Sequence, residues 1–493
     1  MEPRRLTTSG LPGLATGVLA ALLAGCASMA PPYQTPAPPV PAQWPAAIAP
    51  ATAPATAPAP LPPWRGYFTD PLLQQLIDTA LANNRDLRIA ALRSDQARAA
   101  FRIQRADQLP NLGLAAQGAR ARVPGDLNAA GVSAVGAEYR AEVGLSSWEL
   151  DLWGRVRNLK QSALEQWLAT EAGYLSAELA LVAQVADGYI GLRELDERLA
   201  RARRSVETRQ ESQRIFTRRY QVGAVSKLEL AQVQALLAAA QSLQLQLEQQ
   251  WATQLHALGL LVGAHPGPLP AQTPFEQAAI LAAIAPGLPS QVLLGRPDVI
   301  AAEHQLRAAN ADIGAARAAF LPKISLTGSF GSASAQLDGL FDSGSRAWTF
   351  APVLSLPIFS GGRLRANLDL SQVRRDIAVA EYEKTVQTAF REVADALAGQ
   401  RWLSERLVVQ HAALQAQTER ARLAGLRYAN GSTTYLEVLD AQRDLLDAEQ
   451  QVVQVQRALL SSQVALYAAL GGGAPAVDTP TPPAADATDK APR

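Results

Sequence analysis

Between Tyr382 and Tyr428 the sequence steps by alternate fours and threes through one stripe. The stripe is Tyr382, Val386, Ala389, Val393, Ala396, Gln400, Leu403, Leu407, Gln410, Leu414, Gln417, Ala421, Ala424 and Tyr428, and only its glutamines interrupt it. A helix with this 3.5-residue period buries its stripe only by coiling against other helices. The same register recurs 208 residues earlier, at Tyr174, Leu181, Val185, Leu192, Leu195, Leu199, Ala202, Val206, Phe216 and Tyr220. Although the chain has 33 prolines, none falls between Pro124 and Pro266 or between Pro357 and Pro475. Gly154 to Gly223 and Gly362 to Gly431 each span 69 positions, about 100 Å of helix. Rods of that length exceed the diameter of a globular domain and are expected to bridge a distance.

A length of 493 residues alone suggests about three domains, but a repeated long rod overrides that prior. The repeat shows outside the rods too. Asp86 to Pro110 and Asp298 to Pro322 enclose Ala-rich helical pattern of equal length, each ending in Leu-Pro, at an offset of 212. The offset falls to 208 past the next segment, so the first copy carries four extra residues there, which a loop absorbs. The expected organisation is a first repeat over 66–265, an equatorial connector over 266–297 and a second repeat over 298–472. With 45 basic and 44 acidic residues the chain offers no general surface for a nucleic acid.

The N-terminus reads as an export signal over residues 1–25. Arg4 and Arg5 precede the apolar run Leu11 to Ala24, which is long enough for a signal core and short for a bilayer span. It ends in Leu23-Ala24-Gly25-Cys26, which resembles a bacterial lipobox, so Cys26 is expected to carry lipid and become the mature N-terminus. Cys26 is the only cysteine, so no intramolecular disulfide is available and packing must supply stability. Ala27, rather than Asp, after that cysteine implies the outer membrane by the same resemblance. Residues 26–65 are rich in Pro and Ala and are expected to form an extended tether. The tail over 473–493 reads as disordered.

After each Leu-Pro the apolar period shortens to two. In Ile324 to Phe330 apolar or small residues alternate with hydroxyls, and in Trp348 to Leu356 the large apolar residues sit on even positions. In the first copy Tyr139, Ala141, Val143 and Leu145 oppose Arg140, Glu142, Gly144 and Ser146. Each copy therefore predicts a two-stranded hairpin, over about 111–150 and 323–359, with one apolar and one hydrophilic face. Tyr139, Trp148, Trp153, Phe330, Trp348, Phe350 and Phe359 lie in or beside the strands, as the aromatic girdles of a membrane barrel would. Membrane barrels must close, and known ones start near eight strands. Four strands per chain cannot close, so subunits would pool theirs: two chains give a lumen filled by side chains, three give room for a conduit.

Gly287-Leu-Pro-Ser-Gln-Val-Leu-Leu-Gly-Arg-Pro-Asp-Val299 resembles the GLPS-x-x-L-x-x-RPD-I signature of the outer-membrane efflux (TolC-like) family, in its NodT-type lipoprotein branch. Ala301-Ala-Glu303, Phe320-Leu-Pro322, Tyr428-Ala-Asn-Gly431 and Tyr435 to Gln442 continue the pattern, with Gly295 and Val299 as small departures. The resemblance implies a homotrimer with a 12-stranded barrel in the outer membrane and a 12-helix barrel in the periplasm. It implies a role as exit duct of a tripartite pump, joined by a periplasmic adaptor to an inner-membrane RND-type transporter. The fold class expected is thus mainly α with a membrane β part.

Each long helix meets a glycine, Gly223 or Gly431, after which a shorter helix returns. Leu439, Leu446, Val453, Leu460 and Tyr467 recur by strict sevens on the second return helix. By resemblance, Gly223, Ala224, Val225, Ser226, Gly431, Ser432, Thr433 and Thr434 meet the adaptor. Glu437 and Asp440, three apart on one helix face, correspond to the family's acidic pair at the periplasmic constriction, where they would attract cations. Arg219 and Arg427, each before a tyrosine (Tyr220, Tyr428), are candidates to pair with tip carboxylates and hold the duct shut.

Enzyme motifs are missing. His256, His265, His304 and His411 are dispersed without metal-ligand spacing, so no metal and no cofactor beyond the lipid on Cys26 is expected. An efflux duct competes with two other readings, a duct for type I protein secretion and a non-conducting coiled-coil lipoprotein. A mere spacer has no use for amphipathic hairpins flanked by aromatics.

Overall fold

The computed structural model describes residues 28–41, 44, 61–265, 275, 280–282 and 290–473. The signal segment, Cys26, most of the 266–297 connector and the tail beyond 473 lie outside the described residues. Helices α1 (Pro71–Asn83) and α2 (Arg85–Ala106) precede strands β1 (Leu112–Val123) and β2 (Ala134–Leu150). Helices α3 (Arg155–Gln221) and α4 (Lys227–Val262) complete the first half of the repeat. Its second half is α5 (Pro297–Ala318), β3 (Lys323–Ser334), β4 (Arg346–Ser355), α6 (Arg363–Ala429) and α7 (Tyr435–Ala469). Both long helices have 67 residues. The chain divides into two compact units, one holding residues up to 37, 93–171 and 301–382, the other 38–92, 172–300 and 383 onward.

The first unit contains one antiparallel sheet in the order β1-β2-β3-β4. Directly paired residues share a face, and the register lines up Leu114, Val143, Phe330 and Trp348 in one row, with Leu112, Leu145, Gly328 and Phe350 beside it. The opposite face carries Gln117, Arg140, Glu142, Ser329 and Thr349. A one-residue slip would exchange the faces. A bulge between Leu145 and Trp148 makes that exchange locally, adding one residue to β2 and thereby keeping Trp148 and Leu150 on the apolar side. β1 and β4 pair on one side only, so both outer edges are open.

The strands are fixed to the helices at their non-loop ends. The Trp153 indole N–H donates to the Pro322 carbonyl at 2.8 Å, and Glu149 accepts from Arg155 at 2.7 Å while pairing with Lys323 at 3.1 Å. Val156 and Arg157 donate their backbone N–H groups to Asp151, which starts α3. Between α3 and α5, His304 Nδ1 lies 2.6 Å from Glu165 Oε2, with both side chains buried.

The Pro/Ala-rich segment departs from expectation. Its described residues up to Pro63 form no regular secondary structure, and those nearest the N-terminus are not a free tether. Ser28 Oγ donates to Asn158 at 2.7 Å, Asn310 donates to the Pro31 carbonyl at 2.9 Å, and Tyr33 and Thr35 both donate to Glu303. Composition predicted a chain unable to bury a core, yet the polar groups of α3 and α5 hold it. Gly314 makes room, since a Cβ there would sit 2.7 Å from the Ala30 nitrogen.

In the second unit Asp70 caps α1, accepting from Leu72 and Leu73, with Pro71 in the first turn. A core of Tyr67, Phe68, Leu73, Ile77, Val185, Tyr189 and Tyr467 forms around it. Tyr67 and Tyr467 stack at 4.2 Å, and Tyr189, desolvated by burial, has its phenol pushed up to about 12. Arg296 of the Arg-Pro-Asp motif is buried: its guanidinium forks onto Asp298, reaches Glu392 at 2.8 Å and donates to the Ala469 carbonyl at 2.8 Å. That arginine ties the start of α5 to α6 and to the end of α7.

The heptad stripes are the contact lines. In α6, Tyr382, Val386, Ala389, Val393 and Ala396 are buried; from Gln400 to Tyr428 only the stripe positions and Gly425 are covered. In α3 the stripe residues Leu195, Leu199 and Ala202 pack on Leu247 of α4, and Val206 on Leu237 and Ala240. Tyr220 departs from its register mates and is 42% exposed. Tyr428 and Tyr435 already fill the aromatic cluster around Phe216, which leaves Tyr220 no seat.

Candidate functional site

The two helix-hairpin turns hold every tip residue singled out from the sequence. Each opens with the same backbone device. After α3 the Gly223 N–H bonds the Tyr220 carbonyl and the Ala224 N–H bonds that of Arg219; after α6 Gly431 and Ser432 do the same to Tyr428 and Arg427. These are paired six-to-one and five-to-two bonds of a Schellman turn, and both glycines take the left-handed φ it needs, +74° and +71°.

The turns then differ. Ser226 caps α4, its hydroxyl accepting from the Glu229 N–H at 3.2 Å while the Glu229 carboxylate accepts from the Ser226 N–H at 2.8 Å. Hydrogen bonding from Ser226 to that carboxylate, its backbone N–H first and its hydroxyl second, holds the Glu229 carboxyl below its ordinary range. At the second turn Thr434 is the N-cap of α7 but makes no side-chain capping bond. Glu437, in the position of Glu229, turns away: Arg427 donates to it at 2.7 Å and the Thr433 hydroxyl donates to its other oxygen. Ser432 Oγ donates to the Arg427 carbonyl at 2.9 Å, closing a ring of contacts from the end of α6 to the start of α7.

Of the two candidate gate arginines, Arg427 forms an ion pair with a carboxylate, whereas Arg219 forms none among the described residues. Arg219 donates to the Tyr428 hydroxyl and lies 5.5 Å over the Phe216 ring, so it joins the first rod to the second. Tyr435 adds another tie, donating to Ser212 Oγ at 2.8 Å. Asp440 lies 3.3 Å from Arg443, which also holds Asp444 together with Arg420. Arg420 is the first cause of the lowered Asp444 pKa. Glu437 and Asp440 share one helix face, each with an arginine.

Gly223, Ala224, Ser226, Gly431, Ser432 and Thr434 are exposed, whereas Val225 and Thr433 are half-buried. Exposed apolar side chains flank them: Val222 at 69%, Leu228 at 68% and Leu436 at 44%. Sequence reasoning named these turns but missed Thr433 as a donor to Glu437 and Tyr428 as acceptor from Arg219. The first pair is four residues apart but begins outside α7, and the second joins residues 209 positions apart. Among the described residues no group of three or more His, Asp or Glu side chains could hold a metal.

An amphipathic sheet with open edges, joined in one chain to paired helical hairpins, defines the class: a subunit of an outer-membrane channel. The chain belongs to the outer membrane efflux protein family, whose model matches residues 76–264 and 288–472, once in each half of the repeat. It is 44% identical over 456 residues to the solvent efflux pump outer membrane protein SrpC of Pseudomonas putida, covering 92% of this chain and 96% of that one. Among solved structures, a membrane protein from Pseudomonas aeruginosa matches with a TM-score of 0.85 at 42% identity, covering 90% of this chain and 98% of its own. The open-state MtrE outer membrane channel of Neisseria gonorrhoeae matches with a TM-score of 0.82 at 37% identity, covering 91% and 98%.

Proposed function

We propose that three copies of this chain close a 12-stranded barrel in the outer membrane. Their paired helical hairpins would form a duct through which a tripartite RND-type pump expels small toxic compounds. The observation that carries this reading is the pair of open edges on β1 and β4. Hydrocarbon tolerates no unpaired strand edge, so each edge must meet a strand from another copy. The sheet is antiparallel throughout, so β4 of one copy can pair antiparallel to β1 of the next and the pattern closes on itself. Three copies leave an open lumen, lined by the face that carries Gln117, Arg140, Glu142, Ser329 and Thr349.

The cargo class follows from kinship: SrpC, similar over nearly the whole chain, is named for solvent efflux. An adaptor would dock on the exposed turns around Gly223 and Gly431, with Val222, Leu228 and Leu436 as apolar contacts. The duct has no enzymatic role and takes its driving force from the inner-membrane transporter. Lipid on Cys26 would anchor the same end of the chain that Ser28 and Pro31 pin to α3 and α5.

At the turns, Glu437 and Asp440 from three copies would form an acidic constriction, and Arg427 would clamp the Glu437 carboxylate when the duct is shut. The test is conduction by the lipidated protein in planar bilayers. Cation-preferring channels from a trimer are expected, with the preference reduced by Glu437→Ala combined with Asp440→Ala. A monomer that never conducts would sink the duct, and unchanged ion selectivity in the double variant would sink the acidic ring.

A further inference from the structure

The apolar face of the sheet ends in positive charge, and only at its two edges. Along β1 that face reads Leu112, Leu114, Ala116, Gly118, Arg120, Arg122; along β4, from the opposite end, it reads Leu354, Pro352, Phe350, Trp348, Arg346. The register fixes the assignment. Arg120 pairs with Ala137 and Arg122 with Val135, two and four residues beyond Tyr139. Arg346 pairs with Ser332, which pairs with Ala141. All three arginines lie towards the loop ends of their strands and are exposed.

No acidic residue occupies this face in any of the four strands. Glu138, Glu142 and Glu149 all sit on the other side, where Arg140 and Lys323 accompany them. Among the described residues Arg120 and Arg346 have no carboxylate partner, and Arg122 donates only to Ser133 Oγ at 3.2 Å. A guanidinium facing lipid is costly at mid-depth and becomes tolerable only where its long stem reaches the headgroups. Among the described strand residues no carboxylate on this face balances these arginines, and in the barrel reading lipid lies against it.

We propose that Arg120 and Arg122 of one copy and Arg346 of the next form a site for the phosphates of an outer-leaflet glycolipid. The site rests on the barrel reading above, because it is complete only when β4 of one copy pairs with β1 of its neighbour, about 4.8 Å away. Arginine suits the ligand, since its planar fork matches two phosphate oxygens. Tyr139 and Trp348, on the same face, mark the level at which acyl chains give way to headgroups. Each of the three seams would therefore carry one lipid that bridges two subunits.

The experiment uses the full lipidated trimer and compares it with the Arg120→Gln, Arg122→Gln, Arg346→Gln variant. The trimer dissociation temperature is followed while bisphosphorylated lipid A, dephosphorylated lipid A or inorganic phosphate is added. The wild-type trimer is expected to be raised by several degrees by the bisphosphorylated lipid alone, with at least tenfold weaker apparent affinity in the variant. An equal shift in both proteins overturns the site. A shift reproduced by inorganic phosphate overturns the lipid as its occupant. Single-channel conductance is recorded on the same samples: a conducting variant that ignores lipid A supports the site, whereas a wild-type protein that never conducts removes the barrel itself. If the triple variant fails to assemble, Arg120→Gln with Arg122→Gln keeps the β4 arginine, and its affinity must fall below wild type.

Discussion

Ser226 and Thr434 stand at equivalent points of the repeat, as do Glu229 and Glu437, yet the two turns use the same carboxylate differently. In the first, Glu229 bonds back to the residue that caps its own helix, and the turn is closed within four residues. In the second, the cap lacks its side-chain bond and the carboxylate is given to Arg427, ten residues earlier, and to Thr433. A capping box is local and survives movement of the hairpin as a body. An ion pair between the end of one helix and the start of the next depends on how those helices meet. The first turn is thus held by bonds at the start of one helix, and the second by a bond from α6 to α7 that a change in the angle between those two helices would break.

The largest effect expected from that difference is at Arg427. If the proposed trimer holds this ion pair only when shut, Arg427→Ala removes it from Glu437 three times over; exposed pairs contribute up to about 1 kcal/mol each, so the closed state would lose up to about 3 kcal/mol. That corresponds to a shift of roughly a hundredfold in the ratio of open to closed channels, read as open probability in planar bilayers. Ser226→Ala, at the turn that closes on itself, should leave open probability within about twofold, on the order of thermal energy. Equal gains from both substitutions would erase the distinction between the turns.

The caps give a smaller contrast that runs the other way. Ser226→Ala removes a bonded cap and should cost the start of α4 about 1 kcal/mol, whereas Thr434→Ala removes a hydroxyl that makes no capping bond and should cost a few tenths. Amide hydrogen exchange at the first turns of α4 and α7 measures both. A larger loss at Thr434 would mean that its hydroxyl caps α7 in solution.

What the sequence revealed here depended on period and spacing. The rods, their stripes and the glycine turns are local or strictly repeating, so the 3.5-residue pattern located Leu195, Leu199, Val393 and Val453, all of them buried. The strands were legible through alternation, except for the bulge after Leu145, because one inserted residue leaves no mark in composition. Arg209 also escaped notice. It lies buried between Val206 and Phe216 in α3, donating to the Leu236 carbonyl at 3.0 Å, and desolvation lowers its pKa. Partnerships between distant residues were hidden for the same reason. Arg219 with Tyr428 spans 209 positions and Arg296 with Glu392 spans 96. The N-terminal segment shows the limit most plainly, because Pro/Ala composition says nothing about the carboxylate of Glu303 that receives Tyr33 and Thr35.

The smallest expected effect concerns pH. Bonds from Ser226 depress the Glu229 pKa below its ordinary 4.5. A carboxylate lowered by folding adds stability that is fully present above its unfolded value and fades as pH falls through the folded one. The first turn should therefore hold its protection, after correction for intrinsic exchange, from neutral pH down to about 4.5 and lose it gradually below. Because Glu229 is only half-buried, screening keeps the change small. Glu229→Gln, which still accepts at its amide oxygen but carries no charge, should flatten the profile while retaining most of the neutral-pH protection. A wild-type turn whose protection is flat to pH 3 would show that the Glu229 charge is idle, and the two turns would then differ in geometry alone.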